Sequence, residues 1–298
     1  MKILVTGSHG MVGSQLVTYL KSRDHQVMRL SRSAGGPDQI VWDPSLGEID
    51  ESRLEGFDAV VHLAGDNIAD GRWTDSKKAR ILSSRVEGTT LLCKTLASLQ
   101  APPEVIVSAS AIGYYGDRGE EVLTEESGPG AGFLADVCSK WEAATESAGS
   151  RNIRVARVRM GVVLSPTGGA MTKLLTPFKL GAGGRLGSGK QYMSWIALDD
   201  LVQIFEHVIT HKGLVGPVNA VAPNPVTNQE FTEALGAALH RPTVMPLPGF
   251  AAHLIMGEMA DELLLSSARV MPNKLMASGY KFIHPDIQST LRQMFSAA

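Results

Sequence analysis

Ile3-Leu4-Val5-Thr6-Gly7-Ser8-His9-Gly10-Met11-Val12-Gly13 is the stretch that decides the fold. Three consecutive apolar residues read as a buried parallel strand. The strand enters the spacing Gly7-x-x-Gly10-x-x-Gly13, after which Val12, Leu16, Tyr19 and Leu20 recur at helical intervals. Strand, glycine turn and helix in that order are the context a dinucleotide site requires. Gly7 permits the tight turn, Gly10 lets the backbone approach a pyrophosphate, and Gly13 allows helix and strand to touch. Met11 and Val12 begin the helix, whose free N–H groups and dipole favour phosphate. The competing reading is a plain strand–turn–helix loop whose glycines serve turn geometry alone.

The second strand, Gln26 to Leu30, selects the cofactor. An NAD site carries an Asp or Glu about 20 residues past the glycines, on the ribose 2′-hydroxyl. Here the segment reads Arg29-Leu30-Ser31-Arg32-Ser33, with no acid. Arg32 can fork onto a 2′-phosphate and Ser31 can donate to it. NADP(H) is therefore expected in preference to NAD(H).

Outward from this start, Asp58 to Gly65, Glu104 to Ser108, Arg154 to Val158 and Pro217 to Ala222 read as further strands. Helical patterns at 75–99, 134–148 and 198–211 alternate with them. The fold class is α/β: a Rossmann-type doubly wound parallel sheet with a smaller, mostly helical C-terminal lobe. Residues 1–165, with 196–222 returning, form the dinucleotide-binding part. Residues 166–195 and 223–298 form the substrate-side lobe.

The chain has 298 residues, 44% hydrophobic and 19% charged, with a net charge of −2. That balance excludes a basic field for nucleic acid, and no run of 18 apolar residues argues for a membrane span. Two cysteines, Cys93 and Cys138, make neither a metal cluster nor a disulfide framework. No metal is expected, and a reducing cytoplasm is the expected compartment.

The chain resembles an extended short-chain dehydrogenase/reductase of the NAD-dependent epimerase/dehydratase superfamily. More narrowly, it resembles the atypical "nucleoside-diphosphate-sugar epimerase family" group, which ends in a small domain of unknown function. The resemblance covers essentially the whole chain. It is carried by Thr6-Gly7-x-x-Gly10-x-x-Gly13, His62-Leu63-Ala64-Gly65, Arg72-Trp73, Ser84-Arg85-Val86, Ser108 to Gly116, and Val137-Cys138-x-x-Trp141-Glu142. Ser194-Trp195-Ile196-x-x-Asp199-Asp200 and Pro272-x-Lys274-Leu275-x-x-x-Gly279-Tyr280-x-Phe282 complete the set. The resemblance implies that Leu63, Ala64 and Gly65 line the adenosine and ribose side of the cofactor. It also implies that Ser108 and Ser110 end a strand beside the nicotinamide.

Superfamily enzymes use a Ser or Thr, a Tyr and a Lys. Ser110 matches the first and Lys140 the last, but the position four before Lys140 is Asp136. Tyr114 and Tyr115 are the substitute acids, or else rings packed beneath a loop. The superfamily Asn is replaced by Arg85, and Met193 stands where a diphosphate-binding Arg is usual. Arg85 and Arg72 are candidate binders of an anionic substrate, or partners in structural ion pairs. Lys173, Arg185, Lys190 and Arg269 are further anion candidates. Cys138 is either a thiol beside the nicotinamide or a small buried residue, and His62 reads as a satisfied core histidine. Two functions follow. One is an NADP(H)-dependent oxidoreductase or epimerase acting on a small carbonyl or sugar-like molecule. The other is a regulatory or redox-sensing protein that holds NADP(H) without turnover. A homodimer through the helices at 75–99 and 134–148 is expected by analogy alone.

Overall fold

Ile3, Leu4 and Val5 are fully buried in strand β1 (Lys2–Thr6). Burial of each contributes about 1.5–3 kcal/mol. Helix α1 (Met11–Ser22) and β2 (Gln26–Ser31) complete the first unit. A short hairpin of β3 (Gln39–Asp43) and β4 (Glu48–Ile49) precedes β5 (Ala59–His62). Helix α2 (Asp75–Ser98) starts where Thr74 accepts the Lys77 amide, and it leads to β6 (Val105–Ala111). The two-residue β7 (Val122–Leu123) precedes α3 (Phe133–Ala143), α4 (Glu146–Gly149) and β8 (Arg154–Met160). Then come β9 (Val162–Leu164), α5 (Ala170–Lys179), β10 (Tyr192–Met193), β11 (Trp195–Ala197), α6 (Leu198–Thr210) and β12 (Gly216–Ala220). The chain ends with β13 (Val226–Thr227), α7 (Asn228–Leu239), α8 (Gly249–Met256), α9 (Glu258–Ala260), β14 (Arg269–Val270), α10 (Asn273–Ala277) and α11 (Ile287–Phe295). This computed structural model describes residues 1–33 and 35–296, and all their side chains except those of Ala170 and Lys173.

The main sheet runs β12-β8-β6-β5-β1-β2-β3-β4, parallel throughout except between β3 and β4. Alternate residues of β1 face opposite layers. Ile3 and Val5 join Leu16 of α1 and Phe205 of α6, while Leu4 joins Leu92 and Leu96 of α2. Strand order reverses between β1 and β5, which opens a crevice at the carboxyl ends of the strands. A third core of α5, α7 and α11 gathers round Trp195 and Phe231.

The expected strands and helices differ from the observed ones for identifiable reasons. Gln39 to Asp43 was not expected as a strand, yet it pairs with β2. The strand expected to reach Gly65 stops at His62, because the Leu63 and Ala64 amides turn to the Thr6 hydroxyl. The strand expected to stop at Ser108 continues to Ala111, since β8 pairs along its whole length. The helix expected over 134–148 breaks after Ala143, where the Thr145 hydroxyl donates to the Glu142 carbonyl and competes with the backbone.

Candidate functional site

Gly7 sits at φ +65°, and a Cβ there would lie 2.6 Å from the Leu63 carbonyl carbon. A Cβ on Gly13 would lie 2.2 Å from the Gly7 carbonyl oxygen. The glycines therefore press the loop against both its own helix and the start of the next connection. Among the described residues no side chain caps α1, and its first turn holds no acid. The leading N–H groups of a helix have no intrahelical partner. The Ser8 hydroxyl is buried with no hydrogen-bond partner among the described residues. An uncapped helix start beside an orphaned buried hydroxyl fits a pyrophosphate, whose oxygens accept from both. The Met11 side chain packs on Gly168 and Gly169, whose added Cβ atoms would meet it at about 3 Å. Val12 packs on the core beneath.

At the end of β2, Arg32 is exposed and close enough to Asp43 to act on its charge. Hydrogen bonds from the Ser45 side chain and backbone hold the Asp43 carboxyl below its usual range, and Arg32 adds to this. The Ser31 hydroxyl donates to the Ser33 carbonyl at 2.8 Å. Leu63 and Ala64 are half-buried and Gly65 is exposed.

A buried polar cluster lies where β6 and β8 end. Arg159 and Glu142 form a two-pronged pair, Nε to Oε1 at 2.7 Å and Nη2 to Oε2 at 2.8 Å. Their side chains are 3% and 7% exposed. Burial pulls the Arg159 pKa down, but the hydrogen bonds and charge of Glu142, with those of Tyr115, outweigh it and leave it raised. Ser110, fully buried, donates to Glu142 Oε1 at 2.7 Å. Tyr115 is also fully buried, and its single hydroxyl hydrogen lies between two acceptors, Asn219 Oδ1 at 2.8 Å and the Thr124 carbonyl at 2.9 Å. It receives Arg159 Nη1 at 2.9 Å, and burial raises its pKa. Tyr114 is half-buried, with the Arg159 guanidinium 3.5 Å from its ring centre. Its hydroxyl has no hydrogen-bond partner among the described residues. Ser108 is buried one turn of the pleat away.

Three of the four candidate catalytic residues, Ser110, Tyr114 and Tyr115, are thus brought together. Lys140 is not. It lies on the outer face of α3, paired with Asp136 at 2.7 Å, with both side chains about half exposed at 54% and 53%. Cys138 faces inward, and burial, aided by the charge of Glu142, pushes its thiol up to about 12. A protonated thiol is a poor nucleophile.

Among the described residues, neither Arg85 nor Arg72 forms an ion pair with an acid. Arg85 Nη1 donates to the carbonyls of Asp66 and Ile81, and the guanidinium stands 5.1 Å from the Trp141 ring. Burial lowers its pKa, against the opposing influence of Cys138 and Asp66. Arg72 donates to the Leu254 carbonyl of α8 at 3.3 Å. Arg269 has a buried Nε without a partner among the described residues, and its guanidinium lies 4.8 Å from the Tyr192 ring. Arg185 and Lys190 are exposed. The Lys173 side chain lies outside the described ones.

Arg159 and Glu262 were not anticipated. The available signal for Arg159 was a charge directly after Val158 at the end of an expected strand, since a buried arginine needs a buried acid. Glu262 accepts the amides of Phe133 and Leu134 at 3.0 and 3.2 Å, capping α3 from a segment 129 residues away. No local signal predicts that.

Among the described residues, no helix is long and apolar enough to cross a membrane. The profile of the NAD dependent epimerase/dehydratase family matches residues 3–220. A second profile, a domain of unknown function, matches residues 247–294. Epimerase family protein Mb2239 of Mycobacterium bovis is 42% identical over 97% of this chain and 96% of its own. The human epimerase family protein SDR39U1, whose crystal structure was solved with NADPH, superposes with a TM-score of 0.92 at 35% identity, over 100% of both chains. A nucleoside-diphosphate sugar epimerase from Corynebacterium glutamicum superposes with a TM-score of 0.83 at 37% identity, over 99% of this chain and 58% of that one. Glycine loop, sheet order and full-length likeness agree: the chain belongs to the NAD dependent epimerase/dehydratase family.

Proposed function

We propose that this protein binds NADP(H) in the glycine cradle and acts as an atypical short-chain dehydrogenase/reductase on a small carbonyl or sugar-like substrate. The start of α1 beside the Ser8 hydroxyl, both without a side-chain partner among the described residues, carries the cofactor reading. NADPH in the human relative, and a β2 end with Arg32 and no acid, favour the phosphorylated form.

When bound, the cofactor supplies hydride transfer. Tyr114 is the acid: its phenol is half-buried, without a hydrogen-bond partner among the described residues, and held by Arg159. It gives its proton to the oxygen of a carbonyl as the carbon gains hydride, and recovers it in the reverse direction. Ser110 and Tyr115 act by fixing the Glu142–Arg159 pair on which Tyr114 rests. Arg269, whose buried Nε has no partner among the described residues, receives an anionic part of the substrate, with Arg72 and Arg85 as further anion candidates.

A second reading has one specific observation behind it. Lys140 is tied to Asp136 at the surface, so the usual Tyr–Lys couple is not assembled. A protein that holds NADP(H) as a sensor needs no such couple.

Fluorescence titration with NADPH and NADH separates these readings from failure. NADPH binding tighter than NADH, and weakened by Arg32→Glu, is the expected result; NADH binding as tightly overturns the choice of cofactor. With any substrate that is turned over, Tyr114→Phe should lose at least about a hundredfold in rate. Full turnover by Tyr114→Phe would remove Tyr114 as the acid.

A further inference from the structure

His62 is fully buried at the end of β5, and its two ring nitrogens touch two different elements. Nδ1 lies 2.8 Å from the Thr6 hydroxyl, at the mouth of the glycine loop. Nε2 lies 3.0 Å from the Thr89 hydroxyl on α2. Counting lone pairs assigns the protons. Thr6 Oγ1 accepts from the Leu63 and Ala64 amides at 3.0 and 3.1 Å. A hydroxyl has two lone pairs and one hydrogen. Both lone pairs being filled, the Thr6 hydrogen goes to His62 Nδ1. The neutral ring then carries its own hydrogen on Nε2, which donates to Thr89. Thr89 Oγ1 also accepts Trp141 Nε1 at 3.0 Å.

Trp141 closes a circuit. Its ring faces the Arg85 guanidinium, and Arg85 in turn lies against Gly65, where an added Cβ would stand 3.3 Å from Cζ. The segment Leu63-Ala64-Gly65 is therefore gripped from below by Thr6 and from the side by Arg85, and both grips run back to His62. Burial holds the imidazole down to about 4, so it is uncharged at neutral pH, as this arrangement requires.

We propose that His62 is a positioning residue for the dinucleotide, acting as a fixed Nε2–H tautomer that turns the Thr6 hydrogen away so that Thr6 can shape the Leu63–Gly65 wall. The proposal rests on the NADP(H) reading above.

Two isosteric half-replacements test it. In His62→Asn, Oδ1 overlays Nδ1 and keeps the bond from Thr6; in His62→Gln, Nε2 overlays the ring Nε2 and keeps only the bond to Thr89. Each loses one buried hydrogen bond, so stability alone does not separate them. NADPH affinity by fluorescence should stay within about threefold of wild type in His62→Asn and fall about tenfold in His62→Gln, one hydrogen bond's worth. Thr6→Val should match His62→Gln, and the double variant should be no weaker than either single one. Nitrogen-15 spectra of the wild-type protein, with His62 assigned by its loss in His62→Asn, should show a proton on Nε2 and none on Nδ1. Equal weakening by Asn and Gln, weakening by neither, or a proton on Nδ1 overturns the proposal. Should a variant not fold, the wild-type tautomer still decides, its own signal assigned by elimination among the eight histidines. Failure of the wild-type protein to bind NADPH would instead defeat the cofactor reading and leave the tautomer result standing.

Discussion

Tyr114 and Tyr115 are neighbours in the chain with opposite surroundings, and single substitutions should separate them. Tyr115→Phe strips the partner from the Arg159 Nη1 donor and from Asn219 Oδ1, both buried. It should cost about 1–3 kcal/mol in urea unfolding. Tyr114→Phe removes a hydroxyl without a partner among the described residues and should leave the midpoint within about 0.5 kcal/mol. An equal loss in both would mean that Tyr114 is structural. His62 gives a second prediction. The unfolded chain takes up its imidazole proton near 6.5, the folded chain only near 4. The unfolded state therefore binds more protons in this window, and stability present above 6.5 is lost as pH falls toward 4, by about 3 kcal/mol at most. Unfolding of wild type and His62→Asn at pH 7 and pH 4.5 checks this: the wild-type loss should shrink in the variant. The glycine spacing and the acid-free end of β2 were legible because each acts within a few residues of itself. Ser110 could be singled out in the sequence but not its surroundings, because its partner Glu142 comes from another element 32 residues on.

At the scale of elements, α1 and α3 treat their N-termini differently. The first is left open, and the second is closed by Glu262 from the C-terminal lobe. Gly132 has no Cβ to obstruct that carboxylate, since one placed there would collide with it. Glu262→Ala should cost about 0.5–2 kcal/mol, the usual value of a lost cap, and Glu262→Gln less. Hydrogen exchange at the Phe133 and Leu134 amides should rise in Glu262→Ala, and unchanged exchange there would show that the cap contributes nothing. The sequence displayed α1 through its periodicity and α2 through length. It hid β3, a five-residue strand behind the breakers Gly35, Gly36 and Pro37, and it hid the end of α3, where Thr145 competes for a carbonyl. Such features depend on pairing and on single side-chain bonds, which carry no period.

For the whole molecule, the two matched segments, 3–220 and 247–294, are joined by more than the chain between them. Asp200 on α6 is fully buried, and its carboxylate accepts from the Tyr280 hydroxyl and from the amides of Ile283 and His284. Ser194 similarly accepts the Val270 amide and donates to the Ala268 carbonyl. A chain cut after residue 246 would leave the Asp200 charge buried with none of these donors, a loss on the order of 3–5 kcal/mol. It should therefore expose apolar surface, measured by dye binding, even though the main sheet is formally intact. Native dye silence and cooperative melting of that fragment would show the sheet self-sufficient. The same anchor bears on how the protein is made. Its donors at residues 280–284 are made 80 to 84 residues after Asp200, so a chain growing at about 5–20 residues per second carries an unanswered carboxylate for several seconds. The nucleotide-holding part completes its anchoring only once residues 280–284 have followed, which makes that segment a checkpoint on birth as well as a piece of the finished lobe.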